Sequence, residues 1–168
     1  QNVIHRDVSP DNILMRASGA PVLLDLGAAR LVIGGMTQAL TTVLKPGYAP
    51  IEQYVDDGTM HQGPWTDVYG LGAVLYFLLA GAAPPQAVAR MITDPLPGLI
   101  GAIKASCSPE FHAGLIKSLA VRPENRFQSV EALREGLGWT EPIDSSPKTE
   151  FVRRNTLSEP AAVAAAGA

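Results

Sequence analysis

Two carboxylates and a carboxamide stand close together near the start of the chain: Asp7, then Asn12, then Asp25. All three offer hard oxygen atoms, the ligand type that small divalent cations demand. A nucleotide's phosphates need such a cation, because their clustered negative charge must be neutralised before one phosphoryl group can move. Asn12 and Asp25 suit the metal, and Asp7 suits the orientation of an attacking hydroxyl. Short apolar segments flank them at 13–15 and 22–24, with Ala20-Pro21 between. That pattern predicts a small β-hairpin that aims Asn12 and Asp25 at one ion.

These residues belong to longer motifs. His5-Arg6-Asp7 with Asn12 is followed by Asp25-Leu26-Gly27, Pro50-Ile51-Glu52, the run Asp67-Val68-Tyr69-Gly70-Leu71-Gly72, and Arg122-Pro123-Glu124-Asn125-Arg126. In order and spacing the set resembles the protein kinase superfamily, specifically the bacterial Ser/Thr kinases related to the eukaryotic enzymes. The resemblance covers residues 1 to about 137 and implies an α+β, protein kinase-like fold. Only the C-terminal lobe is expected, mostly α-helical with a small β-hairpin at the catalytic site. It further implies ATP and Mg²⁺ as cofactors, and protein substrates whose hydroxyls accept the γ-phosphoryl group.

The resemblance also assigns roles. Asp7 becomes the catalytic base, Asn12 and Asp25 the metal ligands, and Leu14 the apolar contact beneath the adenine ring, although core packing alone also accounts for that leucine. His5 becomes a packed histidine. Residues 28–49 become the activation segment, whose glycines and threonines suit a phosphate-ordered switch with Thr37, Thr41 and Thr42 as acceptors and Arg6 as their partner. Glu52 and Arg126 become a buried ion pair. Asp67 is expected to accept backbone N–H groups of the catalytic loop. Two departures stand out. Ser9 occupies the place where the family carries a lysine, and Lys45 the place where it carries a threonine. The expectation is an exchange, in which Lys45 supplies the ammonium beside Asp7 and Ser9 the hydroxyl.

Composition sets the outer bounds. The chain has 168 residues, 46% hydrophobic and 17% charged, with a formal net charge of -3, which suits one compact domain or a large part of one. No Lys/Arg cluster interleaves with aromatics, so no nucleic-acid partner is expected. Cys107 is the single cysteine, which excludes an intrachain disulfide and a cysteine-based zinc site and suits a cytoplasmic setting. No apolar run reaches the length of a membrane span, residues 71–83 being the longest candidate.

Several elements must hold these side chains in place. Residues 1–4 read as the end of an approach helix. Residues 64–79 read as the core helix, with Pro64 at its start, Val68, Leu71, Leu75, Leu78 and Leu79 at helical spacing, and Gly81 where it stops. Short helices are expected at 86–91, 99–105, 109–120 and 127–137, with 94–98 as a loop, and His61 and His112 as surface groups. Residues 1–138 form the expected lobe. Residues 139–168, rich in Thr, Ser, Pro and Ala, read as tail or linker. A glycine-rich loop, a phosphate-binding lysine and its glutamate partner do not occur in the sequence, so an N-terminal kinase lobe is expected elsewhere and the chain alone is expected to be inactive. A pseudokinase-like scaffold is the alternative, disfavoured because Asp7, Asn12 and Asp25 are all intact. A small-molecule kinase of the same fold is disfavoured by the Thr-rich segment.

Overall fold

The computed structural model describes residues 3–24, 30–31, 44–55, 59–103 and 107–139. Asp25, Thr37, Thr41 and Thr42, most of the expected activation segment and residues 140–168 of the expected tail lie outside these described residues.

Helix α1, Pro64–Ala80, is the pillar around which the rest packs. Pro64 opens it, the Gly63 N–H is satisfied by Thr66 Oγ1 at 3.2 Å, and Gly81 closes it in the left-handed conformation at φ 71°. Its apolar residues surround more than one face, because it is packed on several sides. Tyr69, Ala73 and Tyr76 enter the main core with Leu96, Ile100, Leu115 and Leu119, while Val68 joins Leu133 and Leu137 in a second cluster. Leu78, expected on the buried side, is instead 70% exposed. Gly70 lets the helix approach the chain segment at Val8 closely: a Cβ there would sit 2.8 Å from Val8 Cβ.

Around this pillar lie α2 (Ala87–Arg90), α3 (Leu96–Gly101), α4 (Pro109–Ser118) and α5 (Val130–Gly136). The Ser108 and Ser129 hydroxyls cap the last two by accepting from the N–H groups of Phe111 and Ala132. Helix α3 begins earlier than the sequence pattern implies. Asp94 Oδ1 accepts from the Leu96 N–H at 3.1 Å, and Pro97 falls in the first turn, where its missing N–H does no harm. The helix therefore begins at Leu96, directly after Asp94-Pro95, where a loop through Gly98 was expected.

The hairpin forms as expected, from β2 (Ile13–Met15) and β3 (Pro21–Leu23), antiparallel with Leu14 opposite Val22. The chain reverses at 17–19, where Gly19 takes φ 81°, and Pro21 already belongs to the strand. Strand β1 (Val3–Ile4) pairs antiparallel with β4 (Arg30–Leu31), Val3 opposite Leu31. Val3 and Ile4 are therefore extended and not the end of an approach helix, because their backbone partners come from a strand 26 to 28 residues further along the chain, while residues 1–2 lie outside the described residues.

Candidate functional site

Residues 5–12 pass over the start of α1, and the helix grips them by backbone. Asp67, in the first turn, accepts from the N–H groups of His5 and Arg6 with one carboxylate oxygen each, both at 2.8 Å. Burial pushes the Asp67 carboxyl above its ordinary value, and those two N–H groups pull against the shift without cancelling it. Arg6 takes φ 71°, a left-handed conformation that costs a residue with a side chain about 1–3 kcal/mol. Three hydrogen bonds hold the segment there: the His5 and Arg6 N–H groups donate to Asp67, and Gln53 Nε2 donates to the Arg6 carbonyl at 2.7 Å. The Arg6 Nε donates to Gln62 Oε1 at 2.5 Å.

His5 is buried and links two chain segments. Its Nε2 lies 3.0 Å from the Leu24 carbonyl, and the Asp7 N–H points at its Nδ1 across 3.4 Å. A hydrogen on Nε2 and a lone pair on Nδ1 satisfy both contacts. The Leu24 N–H in turn donates to the Asn12 carbonyl at 2.7 Å. The catalytic loop and the strand that leads to Asp25 are thus tied at two points.

Beyond that tie, Asn12 Nδ2 donates to the Asp7 carbonyl at 2.7 Å, which fixes the plane of the amide and turns its oxygen the other way. Lys45 Nζ donates to Ser9 Oγ at 2.8 Å and lies 3.5 Å from Asp7 Oδ1 and 3.7 Å from Asp11 Oδ2. Asp7, Ser9, Asn12 and Lys45 are therefore neighbours, as the sequence motifs imply. A small cavity beside them, lined by Arg6, Asp7, Leu44, Lys45, Tyr48 and Gln53, opens on Asp7. Leu14 stands apart on the hairpin, half exposed together with Met15, Leu23 and Leu24.

Glu52 and Arg126 form the expected ion pair, both side chains fully buried, with the guanidinium bidentate at 2.7 and 3.0 Å. Thr66 adds a hydroxyl to the same Glu52 oxygen at 3.0 Å. Sequence reasoning missed Thr66, and also Gln53, Gln62 and Asp11. It missed a second buried cation as well: Arg90 binds Asp94 through two bonds at 2.8 and 2.9 Å, the Leu119 carbonyl at 2.7 Å and the Tyr69 hydroxyl at 3.3 Å. Opposite charges four residues apart at 90 and 94 were the available signal. His112, expected at the surface, is half buried.

The donor set fits a magnesium nucleotide in part. The Asn12 amide oxygen would serve as one hard ligand to a Mg²⁺ that takes most of its shell from phosphate oxygens and water. Among the described residues no cluster of three or more His, Cys, Asp or Glu side chains forms a metal cage.

Comparison with known proteins agrees with this geometry. Residues 1–136 match the family model described as protein kinase domain. The chain is 34% identical over 145 residues to serine/threonine-protein kinase PknB of Mycobacterium tuberculosis, covering 80% of this chain and 22% of that protein. It is 32% identical over 146 residues to serine/threonine-protein kinase PknA of a Nostoc species, covering 82% and 24%. The chain thus spans about a quarter or less of the curated relatives it matches. Among solved structures, the apo form of PpkA-294 superimposes with a TM-score of 0.61 at 46% identity, covering 80% of this chain and 46% of that one. The ROP18 kinase domain, in complex with AMP-PNP and sucrose, gives 0.56 at 26% identity. A catalytic loop gripped by the core helix, a buried Glu52–Arg126 pair and a family match over residues 1–136 lead to one conclusion: the chain belongs to the protein kinase family, with bacterial serine/threonine kinases among its relatives.

Proposed function

We propose that this chain is the C-terminal lobe, residues 1–138, of a bacterial enzyme that transfers the γ-phosphoryl group of ATP to serine or threonine hydroxyls of proteins. The observation that supports the reading is the bond at 2.7 Å from the Asn12 amide to the Asp7 main-chain carbonyl, which fixes a metal-type amide on the same short loop as a base-type carboxylate, a loop held from beneath by Asp67. In this reading Asp7 accepts a hydrogen bond from the acceptor hydroxyl. The hydroxyl oxygen bonds to the γ-phosphorus as the bond to the β,γ-bridging oxygen breaks, the hydroxyl proton passes to Asp7, and ADP leaves. Asn12 and Asp25 would hold Mg²⁺, which would supply neutralisation of the phosphate charge. Leu14 would lie beneath the adenine, and an N-terminal lobe would cover exposed apolar side chains of the hairpin.

The isolated chain is inactive in this account, because half of the nucleotide site is supplied from outside it. Arg6 receives the phosphate of Thr37, Thr41 or Thr42 when one of them is modified, and residues 139–168 serve as tail or linker. Among the described residues no helix is long and apolar enough to cross a membrane; we place this lobe in the cytoplasm, where ATP and protein substrates are found.

The test is transfer of labelled γ-phosphate by the complete protein to a mixed Ser/Thr protein acceptor, with the labelled residue identified after hydrolysis. Phosphoserine or phosphothreonine is expected. ATP-dependent labelling of a small molecule alone, or no transfer at all, would overturn the reading.

A further inference from the structure

Lys45 brings an ammonium to the catalytic loop from a different chain segment. Its Nζ is held by three oxygens at once: Ser9 Oγ, Asp7 Oδ1 and Asp11 Oδ2, at 2.8, 3.5 and 3.7 Å. A lysine that merely solubilised a loop would extend its stem into water, where about 2 kcal/mol of rotamer entropy favours disorder. This one turns inward, and its side chain is only 29% exposed. Ser9 is fully buried, so the hydroxyl that receives the ammonium has a fixed position. The backbone under Lys45 is fixed too. Its carbonyl accepts from the N–H groups of Tyr48 and Ala49 at 3.1 and 3.0 Å. The turn runs through Gly47 at φ 85°, where a Cβ would lie 2.7 Å from the Pro84 carbonyl oxygen.

We propose that Lys45, seated on the Ser9 hydroxyl, is the cation that steadies Asp7 and the phosphoryl group in transfer. The proposal rests on the kinase reading above. As the acceptor hydroxyl bonds to phosphorus and its proton passes to Asp7, negative charge leaves that carboxylate while charge spreads over the equatorial phosphoryl oxygens. An ammonium beside Asp7, with three rotatable donors on a flexible stem, serves the carboxylate before transfer and the phosphoryl oxygens during it. Stabilisation depends on where the charge sits and not on which segment delivers it. Lys45 is then a catalytic residue, and Ser9, acting through it, a positioning residue.

The experiment uses the complete protein with Lys45→Thr, Ser9→Lys and the two combined, and reads kcat separately from the KM for ATP. Lys45→Thr is expected to lower kcat about 10²–10³-fold, the loss typical of one transition-state donor, with a much smaller change in KM. Ser9→Lys alone is expected to lower kcat as well, since it forces a second ammonium into a buried seat. The double variant is expected to regain at least about tenfold over Lys45→Thr, the non-additivity of groups in contact. Near-wild-type kcat in Lys45→Thr, or a folded double variant no faster than Lys45→Thr, overturns the proposal. Should the double variant not fold, alkylating Lys45→Cys with 2-bromoethylamine in a Cys107→Ser background rebuilds the ammonium in place: recovery of kcat supports the proposal and no recovery overturns it. Asp7→Asn separates the two levels, because normal turnover in that variant removes the kinase reading itself. Loss of turnover there with wild-type Lys45→Thr removes only the lysine.

Discussion

Every N–H of the Arg126 guanidinium has an acceptor: both Glu52 oxygens and the carbonyls of Trp65, Ala120 and Val121, with the Tyr69 ring 4.9 Å beneath. Arg126→Met would leave the Glu52 carboxylate buried and unpaired, so denaturant unfolding should show a loss of about 3–5 kcal/mol. Arg90 and Asp94 give a prediction in pH. The Arg90 hydrogen bonds, and after them the Leu96 N–H, hold the Asp94 carboxyl below its ordinary value against the opposing effect of burial. Its contribution is present above the ordinary carboxylate range and is lost as pH falls through the lowered value, because the unfolded chain takes up the proton first. Asp94→Asn should therefore be less stable at neutral pH and lose less on acidification; an acid limb identical to wild type would contradict this. At this scale the sequence revealed the residues whose types are chemically costly to misplace, namely Asp7, Asn12, Asp67 and the Glu52–Arg126 pair, and the Ser9–Lys45 departures whose side chains meet. Gln53, Gln62 and Thr66 were illegible, because an amide or hydroxyl acquires its meaning only when distant segments fold against it.

Among the elements, α1 was legible nearly to its ends, since Pro64 and Gly81 punctuate a long apolar repeat. The β2–β3 hairpin was legible from its two short apolar segments, although its turn lies at 17–19 and Pro21 already belongs to the strand. Strand β1 was not, because Val3 and Ile4 are extended only by virtue of pairing with Leu31 and Arg30, and α3 was shifted because Pro97 and Gly98 read as breakers although they lie inside the helix, whose first N–H, that of Leu96, donates to the Asp94 carboxylate. The contact between α1 and the catalytic loop yields a test. In Gly70→Ala the new Cβ would meet Val8 Cβ at 2.8 Å and the Val8 carbonyl oxygen at 3.0 Å. Overpacking of this kind costs about 1–3 kcal/mol, and it displaces the residue bonded to Asp7. A misplacement near 1 Å lowers turnover about 10²-fold, so Gly70→Ala should lose kcat by roughly that factor while thermal unfolding still shows a cooperative fold. Unchanged kcat would mean that the helix does not position the loop.

For the molecule as a whole, the packed helices and the locked loop contrast with a hairpin whose Leu14, Met15, Leu23 and Leu24 remain exposed. These side chains lie on both faces of the two-stranded hairpin, Leu14 on one and Met15 and Leu23 on the other, and apolar surface of that kind would gain from cover supplied by further chain. Calorimetric titration of the 168-residue chain with Mg-ATP should accordingly show binding far weaker than that of the complete protein; a micromolar dissociation constant for the chain alone would remove the need for a second lobe. The claim on which the rest depends is that Asp7 does the proton chemistry. Single-turnover phosphoryl transfer by the complete protein, wild type against Asp7→Asn, measures it most directly, because the substitution removes a charge and an acceptor at almost constant volume. The account predicts a rate lowered about 10²–10⁴-fold with nucleotide binding little changed, and a near-wild-type rate at unchanged nucleotide affinity would contradict it.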